Sequence, residues 1–117
     1  MSNYSIEFLR DNSLRVLKLR NVPDAEILID SLISADISGV PTHGIKMLPV
    51  YIEKIDRGEF SFDELEIIRQ TAAFTTVDSK NSVGAISATK CVNIAVQKAK
   101  ESGLHAVFSK NSNTLGP

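Results

Sequence analysis

Apolar positions recur at helical spacing through the first half of the chain and give way to β-branched runs in the second. Between Ser5 and Arg20, Ile6, Leu9, Val16 and Leu17 lie close to one helix face, although Asp11, Asn12 and Ser13 weaken the middle of the pattern. The segment Asn21-Val22-Pro23-Asp24-Ala25-Glu26 brings a cap candidate, an early proline and two acids suited to the positive end of a helix. Leu28, Ile29, Leu32, Ile33 and Ala35 follow, predicting a second helix. It stops at Gly39, because glycine readily takes the left-handed conformation and Pro41 disfavours helical geometry at the residue before it. A third helix is predicted after Thr42 or Gly44, with Pro49 in its first turn, Leu48, Ile52 and Ile55 on one face, and an end at Gly58.

The texture then changes. Ile67, Ile68, Thr71, Phe74, Thr75, Thr76 and Val77 are residue types that fit a pleated surface, and they read as two short strands in a hairpin. Ala85, Ala88, Val92, Ala95 and Ala99 form a narrow stripe of small residues on a helix that runs to Lys100 and closes at Gly103, suited to close packing on a sheet. Leu104 to Phe108 reads as a last strand, and the polar residues from Ser109 to Pro117 as a loop. Strand, helix, strand suggests a crossover onto a sheet. The fold class expected is therefore α/β with an α+β-like order. A three-helix N-terminal subdomain, residues 1–60, precedes a strand-strand-helix-strand unit, residues 61–117. Open α/β sheets bind ligands beyond the carboxyl ends of their strands, where the final polar loop falls. A strand this close to the terminus leaves a sheet edge that needs covering, so the chain reads as unfinished.

Composition narrows the class. A chain of 117 residues buries roughly two-thirds of its unfolded surface, enough for a core without staples. Hydrophobic residues at 43% and charged residues at 23% argue against disorder. Lys+Arg 13 against Asp+Glu 14 leaves no basic field, so nucleic acid is not an expected partner. No apolar run approaches the roughly 18 to 20 residues that cross a bilayer, so no membrane is expected either. Cys91 is the single cysteine and cannot make an internal disulfide, and Met-Ser-Asn-Tyr-Ser lacks the blocks of a signal peptide, which points to the cytoplasm.

The richest candidate chemistry lies in Gly39-Val40-Pro41-Thr42-His43-Gly44-Ile45-Lys46-Met47. It sets a histidine, the side chain that titrates nearest neutrality, between glycines and a proline at a helix start. Other candidates have plainer readings. His105 reads as a strand-surface or satisfied core residue, and Cys91 as a small buried hydrophobe. Asp63, Glu64 and Glu66 with Arg69 read as a solvated, partly self-compensating surface. Asp36 reads either as a helix-end hydrogen-bonding residue, the favoured view, or as a partner for His43. Two histidines and one cysteine far apart give no zinc spacing, so no metal is expected.

Ala35-Asp36-Ile37-Ser38-Gly39-Val40-Pro41-Thr42-His43-Gly44, the Leu48-Pro49-Val50-Tyr51 that follows, Asp78 to Gly84, and Asn111-Ser112-Asn113, in that order, resemble the N-terminal third of the malate/L-lactate dehydrogenase family. These are nicotinamide-dependent 2-oxoacid oxidoreductases unrelated to the usual Rossmann lactate dehydrogenases, and they include ureidoglycolate and 2,3-diketogulonate dehydrogenases. The resemblance covers essentially the whole chain, whereas its members are about three times as long. It implies that His43 is the proton donor or acceptor, with Thr42 in place of the family's serine. The family's carboxylate-binding arginine position holds Met47, and Lys46 beside it offers charge without arginine's planar fork. The later Ser-Asn-His loop of the family here reads Ser112-Asn113-Thr114, which puts Thr114 at the substrate. Asn113, Gly116 and Pro117 are implied to lie near NAD or NADP, and no G-x-G-x-x-G or Walker sequence is present. A small 2-oxoacid substrate and a homo-oligomer are implied as partners.

Two functions follow as expectations. The chain is the N-terminal portion of a nicotinamide-dependent oxidoreductase acting on a 2-oxoacid or 2-hydroxyacid such as malate or lactate, inactive alone. Alternatively, it is a non-catalytic, self-associating α/β module derived from that family.

Overall fold

The computed structural model describes residues 4–113, which form two compact units, residues 4–59 and 60–113. The first holds α1 (Ile6–Leu19), α2 (Ala25–Ile37), two 3₁₀ turns (Pro41–His43 and Ile45–Met47) and α3 (Leu48–Asp56). The second holds β1 (Glu66–Gln70), β2 (Phe74–Asp78), α4 (Gly84–Ser102) and β3 (Ala106–Lys110). The mixed class and the helices-first order are those expected from the sequence. Among the described residues, no helix is long and apolar enough to cross a membrane.

In the helical unit, Ser5 caps α1 by accepting the Phe8 amide at 3.0 Å. The polar middle of α1 does not break it, because Asn12 Nδ2 donates to the Phe8 carbonyl at 2.8 Å and Ser13 is buried beside Leu14 and Leu17. The whole apolar set predicted for α2 is buried: Leu28, Ile29, Leu32, Ile33 and Ala35. Arg10 holds Asp30 through both carboxylate oxygens, at 2.8 and 3.4 Å, and Arg20 holds Asp56 at 2.8 and 3.2 Å. The second pair ties the end of α1 to the end of α3 and keeps the Asp56 carboxyl below its ordinary range.

α3 starts at Leu48, later than expected, because residues 41–47 are spent on the two 3₁₀ turns. Pro49 does stand in its first turn, where its missing N–H costs nothing. The buried face is Leu48 and Tyr51, with Ile52 and Ile55 half-buried.

In the sheet unit, β1 and β2 pair antiparallel as the predicted hairpin, with a bulge between Ile67 and Arg69. Thr71 organises the turn: its amide donates to the Phe74 carbonyl at 2.8 Å, and its hydroxyl accepts from the Ala73 and Phe74 amides at 3.2 and 3.1 Å. β3 pairs with β2 in parallel, Phe74 opposite Ala106 through Asp78 opposite Lys110, and α4 is the crossover between them.

Three expectations need correction. The last strand runs from Ala106 to Lys110 rather than Leu104 to Phe108, because register with β2 begins at Ala106, and Leu104 is 82% exposed. The small-residue stripe of α4 is covered only in part: Ala85, Ala95 and Ala99 are half-buried, whereas Ala88 and Val92 are exposed. The covered side also takes in buried Ile86 and Ser87 and half-buried Cys91, Ile94 and Lys98, which the periodicity of small residues did not mark. The acids near β1 are exposed as expected but do not pair with Arg69. Glu66 meets Lys80 and Glu64 meets Lys90, each at 3.7 Å, while Arg69 lies over the Phe74 ring at 5.7 Å.

Candidate functional site

The histidine turn is built from the end of α2. Gly39, at φ +80°, lets the chain reverse, and the Val40 amide donates back to the Ala35 carbonyl at 2.8 Å while the Gly39 amide donates to the Asp36 carbonyl at 3.1 Å. That pair of bonds is a Schellman cap, the stop expected at Gly39. Pro41 opens the first 3₁₀ turn, in which the His43 amide donates to the Val40 carbonyl at 3.0 Å and the Gly44 amide to the Pro41 carbonyl at 3.1 Å. The next amide, Ile45, donates to Asp36 Oδ2 at 2.8 Å.

Thr42, His43 and Lys46 are all exposed on this turn. The Thr42 hydroxyl lies 3.2 Å from His43 Nδ1. When the hydroxyl donates, the neutral ring carries its proton on Nε2 and is a hydrogen-bond donor there; when Nδ1–H donates, Nε2 is a free base, and an acid once it has taken a proton. Either way Nδ1 is occupied by its neighbour and Nε2 is the nitrogen available for proton exchange. Met47, where the resemblance leads one to expect an arginine, is half-buried and offers no charge, leaving Lys46 as the turn's cation.

Asp36 gives its main-chain oxygen to the end of α2, while its carboxylate accepts from the turn beyond the helix. What sequence did not reveal is its partner: the Gly44 Cα packs so closely on the Asp36 carboxylate that any Cβ there would overlap it. The signal was the combination of Asp36 and Gly44 eight residues apart, whose contact depends on the Schellman reversal between them.

Asn113 belongs to the sheet unit. Its amide donates to the Ser82 carbonyl at 3.0 Å and its carbonyl accepts from the Gly84 amide at 2.8 Å, in a parallel bridge with Val83. The segment preceding it is fastened to the 78–84 loop. Asp78 Oδ1 accepts from the Lys80 amide at 2.8 Å and from Asn111 Nδ2 at 3.0 Å, so the carboxyl is held below its ordinary range, chiefly by Lys80. Lys80, Asn81 and Asn111 all take positive φ, at 50°, 63° and 60°. Behind them the hydroxyls of Ser79, Ser109, Ser112 and Ser87 are linked, Ser112 lying 3.2 Å from Ser109 and 3.1 Å from Ser87. Burial pushes the neighbouring Cys91 thiol up, so it stays protonated near neutrality.

Thr42, His43 and Lys46 thus share the helical unit and Asn113 the sheet unit, while Thr114, Gly116 and Pro117 lie outside the described residues. Of the residues expected to meet a nicotinamide cofactor, Asn113 alone lies among the described ones, and its main-chain groups pair with Ser82 and Gly84. His105 is the satisfied core residue expected from sequence, buried between Thr75 and the Ala72 carbonyl. Among the described residues no group of three His, Cys, Asp or Glu could hold a metal ion.

Comparison with known proteins bears on the turn and its surroundings together. Over residues 4–117 the chain matches the malate/L-lactate dehydrogenase family. The malate dehydrogenase of Pyrococcus horikoshii is 32% identical over 106 residues, which are 88% of this chain and 29% of that protein. The L-sulfolactate dehydrogenase of Methanocaldococcus jannaschii is 32% identical over 104 residues, 86% of this chain and 30% of that one. The solved structure of the Pyrococcus horikoshii malate dehydrogenase superposes with a TM-score of 0.93 at 30% identity, covering 98% of this chain and 34% of that chain. The chain spans under a third of the length of these curated relatives. With sequence match and backbone agreeing along the whole described length, the chain belongs to the malate/L-lactate dehydrogenase family.

Proposed function

We propose that this chain supplies the histidine-bearing N-terminal portion of an NAD- or NADP-dependent oxidoreductase that interconverts a small 2-oxoacid and its 2-hydroxyacid, malate or lactate among the candidates, and that it is inactive by itself. The observation that carries the reading is the exposed His43 imidazole, held on an anchored turn beside the Thr42 hydroxyl in a member of a dehydrogenase family. Reduction of a 2-oxoacid adds hydride to the carbonyl carbon and a proton to its oxygen. The nicotinamide supplies the hydride; His43 supplies the proton through Nε2 and takes it back in the reverse direction. Lys46 attracts the substrate carboxylate as a point charge, and Thr114 contributes a hydroxyl. The helical residues 1–60 serve proton chemistry, and residues 61–117 begin the cofactor domain, with Asn113, Gly116 and Pro117 on the cofactor side. A cytoplasmic location accords with the lone thiol, Cys91.

Calorimetric titration of the 117-residue chain with NADH and NADPH tests whether it holds the cofactor by itself. No binding at micromolar concentrations is expected, and tight binding followed by turnover of oxaloacetate or pyruvate would overturn it. In an enzyme of full family length carrying these residues, His43→Ala is expected to lower kcat about 100- to 10,000-fold, as loss of a general acid does. An unchanged kcat would overturn the role of His43.

A second reading, a self-associating module without catalysis, is favoured by one observation. Phe108 on the outer strand β3, with Ile67 and Ile68 on β1, leaves apolar side chains exposed at both sides of the sheet, and a second copy of the chain is the occupant proposed.

A further inference from the structure

The segment between α2 and α3 closes on a single residue. Asp36 accepts the Gly39 amide on its main-chain oxygen at 3.1 Å and the Ile45 amide on Oδ2 at 2.8 Å. Both ends of the 39–45 segment are therefore tied to Asp36, and His43 lies two residues from the second tie. The amides of residues 43, 44 and 45 are all anchored, the first two by main-chain oxygens and the third by this side chain. Gly44 completes the arrangement. Its φ of −90° and ψ of −160° are extended backbone that any residue adopts, so glycine is needed there for space, and Asp36 occupies that space.

We propose that Asp36 is the positioning residue for His43: by holding the Ile45 amide and demanding a bare Cα at position 44, it fixes the turn that presents the imidazole beside Thr42. The proposal rests on the reading of His43 as the proton-transfer residue. The role is separable from termination of α2, because the cap of that helix uses main-chain groups alone, Gly39 to Asp36 and Val40 to Ala35. Removing the carboxylate leaves that cap intact and frees only the turn beyond it.

The chain has two histidines, His43 exposed on the turn and His105 buried in the other unit, so their ring-proton resonances give one probe and one internal reference. In Asp36→Ala the Ile45 amide is expected to exchange about tenfold faster, the worth of one lost hydrogen bond. The His43 ring and Thr42 methyl resonances are expected to move while the His105 resonance stays. Asp36→Asn, which keeps an oxygen acceptor, is expected to restore most of the protection. Unchanged Ile45 and His43 signals in Asp36→Ala would overturn the proposal. Should that variant fail to fold, Gly44→Ala provides the same readout, since its methyl displaces the carboxylate; unchanged signals there overturn the proposal equally. None of these signals depends on turnover. A His43→Ala enzyme that retains its kcat defeats the catalytic reading and leaves the assignment of Asp36 standing or falling on the spectra.

Discussion

His105 Nε2 lies 2.8 Å from the Thr75 hydroxyl, and its Nδ1 lies 3.3 Å from the Ala72 carbonyl. A carbonyl can only accept, so Nδ1 carries the proton, and in the neutral ring Nε2 accepts from Thr75. Both residues are buried, and the pair joins the start of β3 to β2. Thr75→Val keeps the shape and removes the donor, leaving a buried nitrogen without a partner. It is expected to cost about 1–3 kcal/mol, read from urea unfolding. A change indistinguishable from zero would mean the bond contributes nothing net.

His43 should behave in the opposite way. Exposed on its turn, it contributes little packing, and His43→Ala is expected to change stability by less than about 0.5 kcal/mol. A large fall in the thermal midpoint would place it in the core instead.

Gly39 and Gly44 are required for different reasons, and substitutions should tell them apart. Gly39→Ala meets no neighbour but must hold φ at +80°, and it is expected to cost about 1 kcal/mol, whatever stands at position 36. Gly44→Ala collides with Asp36, so combining it with Asp36→Ala should cost less than the sum of the two single changes. A double-mutant cycle on unfolding free energies measures this, and strict additivity would contradict the contact.

Acid should loosen the 78–84 loop. The folded chain holds Asp78 below the ordinary aspartate range, through the Lys80 amide first and Asn111 second. Its contribution is therefore complete above the ordinary aspartate value and is lost as pH falls below it towards the folded value. Asp56, held down by Arg20, adds a slope of the same sign. Asp78→Asn is expected to flatten the fall in thermal midpoint between neutrality and strong acid. An identical slope in that variant would show that Asp78 is not linked to folding.

Self-association should appear as a mass that rises with concentration in light scattering. Phe108→Lys is expected to lower it, because Phe108 is 59% exposed on an outer strand. A monomer across a wide concentration range would count against the second copy.

Local chemistry decided the element types, and the sequence alone was enough to read them. Gly39 ends α2 where its capping chemistry puts it, and the buried set of α2 is the one its periodicity named, although the cap expected between Asn21 and Glu26 is replaced by Asp24 at φ +55° without a side-chain cap bond. The hairpin followed from β-branched runs flanking Thr71, and His43 was picked out by its Gly/Pro surroundings. Each of these is settled within about one or two turns of chain, where neighbours in sequence are neighbours in space.

Tertiary structure decided what depends on distant partners. The full covered side of α4 could not come from its alanines alone, since Ala88 is exposed while Ile86, Ser87 and Cys91 are covered. The start of β3 is set by register with β2, 32 residues earlier from Ala106 to Phe74. Asn113 is fastened by loop 78–84, and Asp36 reaches Ile45 only after the chain has reversed at Gly39. The reason is common to all four. A side chain carries its own hydrogen-bonding capacity and bulk in the sequence, but the group that meets it is fixed only when the chain folds back, and at Gly44 that meeting makes the absence of a side chain the requirement.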